Sequence, residues 1–235
     1  MSFHQIDRID IIRKVIKRIG AKNYLEIGVF NGDCFLEVRC RRKTAVDPAP
    51  KIPFKERLKR WHKNLCIDIR ATTSDDFFAN QKPDTRFDVI FIDGLHTWAQ
   101  ALRDVESSLR FLNEGGVILM HDCNPTSAAA AHPAGSLAEA AAMNLPGWNG
   151  EWNGDVWKTI ALLRSQWPDL RTFVLDCDFG VGVVTRGKPD DRLELSSQRI
   201  AEMTYQDFAK DRQKILNLKP ETYLEEFLAG LKRIH

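Results

Sequence analysis

The sequence predicts an α/β protein built on an open, mostly parallel sheet. Short apolar segments alternate with segments of helical periodicity over residues 23–121. The run FDVIFID (87–93) is almost continuously apolar, which is typical of a central parallel strand covered on both faces. Residues 171–176 and 180–186 flank a short polar turn like the two arms of a β-hairpin, so we expect the sheet to end with an antiparallel strand.

The first half of the chain predicts a helix followed by a β-α-β unit. Apolar residues recur at helical spacing over 5–19, and Gly20 follows at the position of a C-terminal cap. Beyond it we expect a strand over 23–29, a short helix over 33–38, a strand over 43–47, a third strand over 64–71 and a helix N-capped by Ser74.

The second half predicts one long helix, a fifth strand and further helices. An apolar stripe runs from Leu95 to Leu112, with Gly115 and Gly116 expected to end the helix, and 116–121 is the next strand. The remaining expected features are a helix from Asp155 to about Gln166, a capping box at Thr204 and Asp207, and an amphipathic helix carrying Leu224, Phe227, Leu228 and Leu231.

Length and composition indicate a single domain over residues 1–235. We expect an N-terminal helix (1–20), a Rossmann-like core (20–187) and a helical C-terminal extension (188–235), which would cover a site or form a dimer contact. The chain has 235 residues, of which 43% are hydrophobic. Such a chain is long enough to bury one large core.

Charge and cysteine content argue against several classes of protein. The net charge of +2 is too small for a general nucleic-acid binder, and the basic runs at 39–43 and 55–63 are interpreted as a solvated face or as attraction for an anionic substrate. Five cysteines without a CxxC pair favour reduced thiols and a cytoplasmic location. The sequence shows neither a signal peptide nor an apolar span, so we expect no membrane association.

The segment LEIGVFNGD (25–33) indicates a cofactor site at the end of the first strand. Gly28 and Gly32 would let a nucleotide approach the backbone, but Phe30 replaces the middle glycine of a dinucleotide motif. The acid Glu26 would repel phosphate and attract an ammonium or sulfonium group. Asp47 ends the second strand, where a carboxylate can accept the hydroxyl protons of a ribose. A cationic adenosine derivative, S-adenosylmethionine, fits both acids.

The segment VILMHDCNP (117–125) places His121 and Asp122 at the end of the fifth strand, beside the expected position of Asp93 after the fourth. His96 lies one turn into the following helix and would join them. This cluster could accept the proton of an acceptor hydroxyl, with His121 or His96 as general base. A divalent metal could instead lower the pKa of that hydroxyl. The plainest alternative is a hydrogen-bonded core histidine and a loop-capping aspartate.

The segments YLEIGVFNGD, AVDP, FDVIFIDGLHTWAQALRDVESSLRFLNEGGVILMHDCNP and the closing hairpin resemble class I S-adenosylmethionine-dependent methyltransferases. The resemblance covers about residues 20–187 and is closest to bacterial macrocin-type O-methyltransferases. It implies a seven-stranded sheet of order 3-2-1-4-5-7-6 with helices on both faces.

The same resemblance implies roles for further residues. It places Thr73, Ser74 and Asp75 near the adenine and Asp93 at the cofactor. It also implies a magnesium-type site at Asp93, His121 and Asp122, although the imidazole favours manganese, iron or zinc over magnesium.

The leading hypothesis is therefore methyl transfer from S-adenosylmethionine to a hydroxyl of a small molecule such as a sugar, a glycosylated natural product or a phenol. The loop GWNGEWNG (147–154) is interpreted as a lid whose tryptophans stack on a ring-shaped acceptor. The alternative is a non-catalytic module that binds a nucleotide or nucleotide-sugar. Nucleic-acid methylation ranks last, and a homo-oligomer stays open.

Overall fold

A computed structural model of the chain describes residues 6–60 and 66–234. In these ranges the strands are β1 (Asn23–Ile27), β2 (Arg42–Asp47), β3 (Ile67–Ala71), β4 (Phe87–Ile92), β5 (Leu112–Met120), β6 (Leu170–Leu175), β7 (Val181–Arg186) and β8 (Leu218–Lys219). They form one hydrogen-bonded sheet of order β3-β2-β1-β4-β5-β7-β6-β8.

The helices of the same ranges are α1 (Arg8–Ile19), α2 (Asp33–Glu37), α3 (Phe54–Lys59), α4 (Ser74–Ala79), α5 (Trp98–Phe111), α6 (Leu137–Ala142), α7 (Trp157–Gln166), α8 (Ser197–Glu202), α9 (Tyr205–Leu216) and α10 (Tyr223–Gly230). The starts of two expected elements lie outside the described residues: Gln5 of the first helix, and Asn64 and Leu65 of the third strand.

The strand order confirms the predicted 3-2-1-4-5-7-6 sheet, to which the structure adds one strand. β1 pairs in parallel with β2 and β4, and β6 pairs with β7 in antiparallel register, with Leu175 opposite Val181. The added strand β8 pairs in parallel with β6 through Leu218 and Lys219. The C-terminal extension is therefore not purely helical. Two residues carry no alternation pattern, so the sequence did not reveal this strand.

The chain divides into two compact units, each assembled from separate segments. The first comprises Met1–Gly94, Arg103–Leu119 and Leu224–His235, and the second comprises Leu95–Leu102 and Met120–Tyr223. The organisation of residues 1–235 as one domain stays a prediction.

In the first unit, the core lies against β1 and β4, and every residue of β4 is buried. Helix α1 ends at Gly20, which adopts the left-handed cap conformation predicted from the sequence. The C-terminal helix α10 is attached to α1: Lys14 lies 2.6 Å from Glu225, and the Arg18 Nε donates to the Leu228 carbonyl at 2.6 Å. These contacts hold α1 and α10 together within the first unit.

In the second unit, helices α7 and α9 pack against each other beside the β6–β7 hairpin. The rings of Trp157 and Phe208 lie 4.6 Å apart, and the buried guanidinium of Arg164 donates to the Ile215 carbonyl at the end of α9 at 3.0 Å. Thr204 and Asp207 form the predicted capping box of α9. This packing fixes the base of the hairpin whose tip reaches the candidate site.

Three expected helix boundaries were wrong. The N-cap of α4 is Thr73, whose hydroxyl accepts from the Asp76 N–H, and Ser74 is already helical. Helix α5 ends at Phe111 and β5 starts at Leu112, so the two glycines at 115 and 116 lie inside the strand. Asp155 does not cap α7: its carboxylate accepts from the Trp98 N–H at 2.8 Å, and so caps α5.

No helix in the described part of the chain is both long and apolar enough to cross a membrane.

Candidate active site

In the first unit, Glu26 is a fully buried carboxylate at the end of β1. The Tyr24 hydroxyl donates to its Oε2 at 2.5 Å. Burial raises the pKa of Glu26 to about 7, with hydrogen bonds from Tyr24 and Cys34 and the charge of Lys43 opposing that rise. An opposite charge placed beside Glu26 would restore its ionised form.

The loop after β1 requires glycine for reasons internal to the fold. Gly28 has a φ of +82°, and a Cβ there would lie 2.0 Å from the Asp93 carbonyl oxygen. Gly32 has a φ of +83° and would press a Cβ against the Ile52 side chain at 3.1 Å. Gly28 therefore has no room for a side chain, whatever ligand the loop holds, and a side chain at Gly32 would be strained by its positive φ.

Asp47 organises the same loop from the end of β2. Its Oδ2 accepts from the Phe30 N–H at 2.8 Å, and its Oδ1 accepts from the Ala49 N–H at 2.7 Å. Phe30 has a left-handed φ of 46° at the position where a dinucleotide motif would have its middle glycine. Each carboxylate oxygen has a second lone pair that remains able to accept a ligand hydroxyl.

The predicted adenine residues lie at the start of α4. Thr73 serves as N-cap, and the Ser74 hydroxyl donates to the Asp104 Oδ1 at 2.6 Å. Asp75 lies 3.5 Å from the Arg103 Nε. Their contact with an adenine stays a prediction.

Asp93 follows β4, and its N–H donates to the Ile27 carbonyl at 2.8 Å. Its charge contributes to the raised pKa of Glu26. Asp93 belongs to the first unit, whereas His96, His121 and Asp122 belong to the second. The expected convergence of Asp93 with the other three stays a prediction.

In the second unit, Asp122 lies between two imidazoles. Its Oδ2 is 3.2 Å from the His96 Nε2 and 3.2 Å from the His121 Nδ1. Asp122 is the second residue after β5 and has a left-handed φ of 59°, a conformation that aspartate tolerates better than most residues do. The structure therefore brings together the three residues predicted to act in catalysis.

His96 is fixed by the loop that was predicted to be a lid. Its Nδ1 lies 2.8 Å from the Trp152 carbonyl, and the two rings stack with centroids 4.6 Å apart. Because a carbonyl only accepts, the Nδ1 of His96 carries a proton, and Nε2 is the ring nitrogen that faces Asp122. Gly154 permits this approach, since a Cβ there would lie 1.7 Å from the His96 carbonyl oxygen.

Asn153 orients the carboxylate of Asp122. It is buried, and its Nδ2 donates to the Asp122 Oδ1 at 2.5 Å. The Asn153 Oδ1 accepts no hydrogen bond from any residue that the structure describes. Leaving a buried acceptor unpaired costs about 1–3 kcal/mol, so the fold tolerates a penalty to hold Asp122 in this orientation.

The hairpin tip, residues 176–180, reaches the other side of His121. The Asp178 Oδ1 lies 3.4 Å from the His121 Nε2, and the Phe179 ring meets the imidazole edge to face at 6.3 Å. Burial, with the charge of Asp178, raises the pKa of the neighbouring Cys177 thiol to about 12, which excludes a thiolate nucleophile there at neutral pH.

Sequence reasoning missed three contributors to this cluster: Asn153, the Trp152 carbonyl and Asp178. The first two lie in the 147–154 loop, whose glycines and tryptophans did signal a special role. Nothing in the local pattern marked Asp178, because its contact joins segments 57 residues apart in the chain.

Comparisons with known proteins agree with this architecture. Residues 25–123 match a family model described as a methyltransferase domain. The fold is shared with an O-methyltransferase from Bacillus cereus solved in complex with SAH, at 17% identity, 78% coverage of this chain, 83% of that chain and a TM-score of 0.56. It is also shared with the O-methyltransferase TomG from Streptomyces achromogenes, involved in tomaymycin synthesis and solved with SAM, at 11% identity, 76% and 78% coverage and a TM-score of 0.53.

A third structure, the SAH-bound methyltransferase PaMTH1 from Podospora anserina, shares the fold at 17% identity, 77% and 78% coverage and a TM-score of 0.56. A sequence comparison with curated proteins found no match. The family model and the common fold confirm the predicted resemblance to class I S-adenosylmethionine-dependent methyltransferases, and with it the prediction of a methyltransferase enzyme. The closer likeness to macrocin-type enzymes stays a prediction.

Proposed function

We propose that this protein transfers a methyl group from S-adenosylmethionine to a hydroxyl of a small molecule, with a sugar, a glycosylated natural product or a phenol as acceptor. The observation that carries the proposal is Asp122, held between two imidazoles directly after β5, in a chain whose residues 25–123 match a methyltransferase domain. An alcohol must lose its proton as it attacks a methyl carbon, and this cluster offers a proton acceptor.

The residues of the first unit fit S-adenosylmethionine. Glu26 offers a buried carboxylate to the ammonium or sulfonium charge, and Asp47 keeps one lone pair on each oxygen for ribose hydroxyls. When bound, S-adenosylmethionine supplies an electrophilic methyl on a sulfonium that leaves as a neutral thioether. Glu26 and Asp47 would hold the two ends of this ligand and leave the methyl free to react.

His96 is the proposed general base. Its Nδ1 is bound to the Trp152 carbonyl, so its Nε2 can take the proton of the acceptor hydroxyl. Asp122 then lies 3.2 Å from the newly protonated nitrogen and stabilises the imidazolium. His96 is the more accessible of the two imidazoles, with 18% of its side chain exposed against 7% for His121.

The donor set of the second unit also fits a divalent metal. His96 and Asp122 provide an imidazole and a carboxylate whose facing atoms lie 3.2 Å apart, and an imidazole suits manganese, iron or zinc better than magnesium. A metal held there, with Asp93 as the further predicted ligand, would lower the pKa of a bound hydroxyl. The proton route above needs no such ion.

Calorimetry with S-adenosylmethionine and SAH tests the first half of the proposal. We expect one-site binding of both ligands, and a loss of affinity of at least tenfold in Asp47→Asn, because the amide replaces one acceptor oxygen by a donor. Asp68→Asn, an exposed carboxylate on the neighbouring strand β3, is the matched control and should bind normally. Absence of binding to the unaltered protein would overturn the proposal.

To identify the acceptor class, a panel of catechols, simple phenols, methyl glycosides and glycosylated phenols is tested, with SAH formation as the readout. Turnover with any hydroxyl compound, and none with the corresponding O-methyl ether, supports hydroxyl methylation. A non-catalytic nucleotide-binding module would instead bind nucleotide-sugars and form no SAH with any acceptor.

A further inference from the structure

We propose that a basic cavity between the sheet and helix α4 binds the phosphate group of a small phosphate monoester. The cavity has a volume of about 250 Å³ and belongs wholly to the first unit. Of the described residues that line it, none is among those predicted to hold the cofactor or to act in catalysis. The proposal therefore stands apart from the proposed function.

The cavity starts at the N-terminal ends of three strands. Asn23 is the first residue of β1, Arg42 the first of β2 and Phe87 the first of β4, and all three line the cavity. The acids predicted to hold the cofactor, Glu26 and Asp47, lie toward the C-terminal ends of β1 and β2. The carboxylates that would repel a phosphate are thus separated from the cavity along the strands.

Strand pairing places the polar residues of the cavity on one face of the sheet. Thr44 of β2 pairs with Asp68 of β3 in parallel register. Alternate residues of a strand share a face, so Arg42 lies on the same face as Thr44, and Arg70 lies on the same face as Asp68. All four residues line the cavity. The sheet therefore contributes two guanidinium groups and a hydroxyl to one wall.

Helix α4 and the loop after it form the other wall. Phe77 is buried at the end of this wall, and the Gln81 Nε2 donates to its carbonyl at 3.1 Å. The Nη1 of Arg86 donates to the carbonyls of Pro83 and Thr85, each at 2.7 Å. A guanidinium has further N–H donors on Nε and on its second terminal nitrogen. Arg86 is thus held by the loop and still has donors to offer a ligand.

The lining residues carry an excess of positive charge. The Nε and Nη2 of Arg70 both lie 2.8 Å from the Asp68 Oδ2, so this pair is neutral and fixes the Arg70 side chain. The Arg42 guanidinium makes no hydrogen bond or ion pair with any residue that the structure describes. Three arginines and one aspartate line the cavity, which gives it a net charge of +2.

A phosphate monoester matches this charge and these donors. It carries about −1.5 to −2 charges at pH 7 and three oxygens that accept hydrogen bonds. Guanidinium groups bind such oxygens through paired hydrogen bonds, whereas a single carboxylate would balance only half of the charge. The volume lies just below the roughly 300–1,000 Å³ of pockets for drug-sized ligands, which favours a phosphate on a small organic group over a nucleic-acid strand.

The basic run at 39–43 contributes both a cavity residue and a control. Arg42 lines the cavity, whereas Lys43 is buried and its Nζ donates to the Val38 carbonyl at 2.8 Å. Arg41 is exposed and does not line the cavity. Arg41→Gln therefore removes the same charge as Arg42→Gln, one residue away and outside the cavity.

Calorimetry at one fixed ionic strength tests the proposal, with ribose 5-phosphate, inorganic phosphate and ribose as probes, each with and without excess SAH. We expect one-site binding of ribose 5-phosphate, weaker binding of inorganic phosphate and none of ribose, with affinities that SAH does not change. Fixed ionic strength is needed because added salt screens the attraction between exposed charges.

The variants locate the ligand. Arg42→Gln and Arg86→Gln should each weaken the binding of ribose 5-phosphate at least tenfold, because each removes charge-assisted hydrogen bonds. Thr44→Val, which removes a neutral donor and keeps the shape of the side chain, should weaken it less. Arg41→Gln should bind within about twofold of the unaltered protein. The three arginines are exposed, so thermal unfolding should show intact folding in all their variants.

Several results would overturn the proposal. One is the absence of saturable binding of both phosphate compounds at millimolar concentrations. Equal weakening in Arg41→Gln and Arg42→Gln would indicate attraction to the overall charge, and displacement by SAH would place the phosphate at the cofactor residues. Tighter binding of a single-stranded oligonucleotide than of ribose 5-phosphate would replace the small ligand by a nucleic acid. If SAH itself does not bind, the proposed function fails, while the phosphate titration still decides the role of the cavity.

Discussion

Replacing Glu26 by glutamine should change the pH dependence of folding stability in a specific direction. The carboxyl has an ordinary pKa of 4.5, and burial raises it to about 7 in the folded protein. Below pH 4.5 the group is protonated in both folded and unfolded chains, so it adds no pH dependence. Between pH 4.5 and 7 the unfolded chain loses the proton first, and stability falls as pH rises through this window.

The magnitude follows from the two pKa values. The interval from 4.5 to about 7, at about 1.4 kcal/mol per pH unit, corresponds to roughly 3 kcal/mol of stability lost by pH 8. Glu26→Gln removes the titrating proton and keeps an oxygen to accept from the Tyr24 hydroxyl. The free energy of unfolding of the variant, relative to that of the unaltered protein, should therefore rise by roughly 3 kcal/mol from pH 4.5 to pH 8.

Urea denaturation at pH 4.5, 5.5, 6.5 and 8, without any ligand, measures this difference, since other titrating groups contribute equally to both proteins. S-adenosylmethionine should reverse the pattern for the unaltered protein, because its positive charge favours ionised Glu26, and its affinity should rise with pH up to about 7. Stability curves that run parallel in the two proteins across this range would refute the reasoning.

The remaining predictions concern the loop after α6 and the metal. Gly154→Ala should destabilise the protein by about 2–5 kcal/mol, since it combines a left-handed alanine with a clash at the His96 carbonyl. Gly150→Ala, with a φ of +93° and no atom within 4 Å of the new Cβ, should cost only about 1 kcal/mol. Thermal unfolding of both variants checks this prediction, and equal costs would contradict it. Asp155→Ala should destabilise the protein by about 1 kcal/mol because the Trp98 N–H loses its cap, and Asp155→Asn should destabilise it by much less. Urea denaturation measures both losses, and equal losses would exclude capping as the cause. Dialysis against a chelator should leave the rate of SAH formation unchanged, and a loss restored by manganese or zinc would favour the metal route.

Much of the fold was readable because its strands are apolar runs between polar or glycine-containing turns. The fully buried β4 and the β6–β7 hairpin both lie where their patterns placed them. Local pattern failed where two adjacent residues could play the same part: Thr73 and Ser74 both carry the hydroxyl of an N-cap, and only the backbone path selects Thr73.

The site was predictable as a set of residue types at strand ends, but not as a network. His121 and Asp122 stood out because polar residues followed an apolar run. Asp155 was expected to cap its own helix and instead caps one that begins 57 residues earlier, at Trp98. The contact of Asp178 likewise depends on how the hairpin tip meets the end of β5, which no local periodicity encodes.

The central claim, that the His96–Asp122 pair accepts the proton of a methyl acceptor, is tested most directly by single-turnover methyl transfer. The account predicts that His96→Gln and Asp122→Asn lower the rate of SAH formation by about 100-fold or more while S-adenosylmethionine affinity stays within about twofold. Unaltered rates in both variants, with cofactor binding intact, would contradict it.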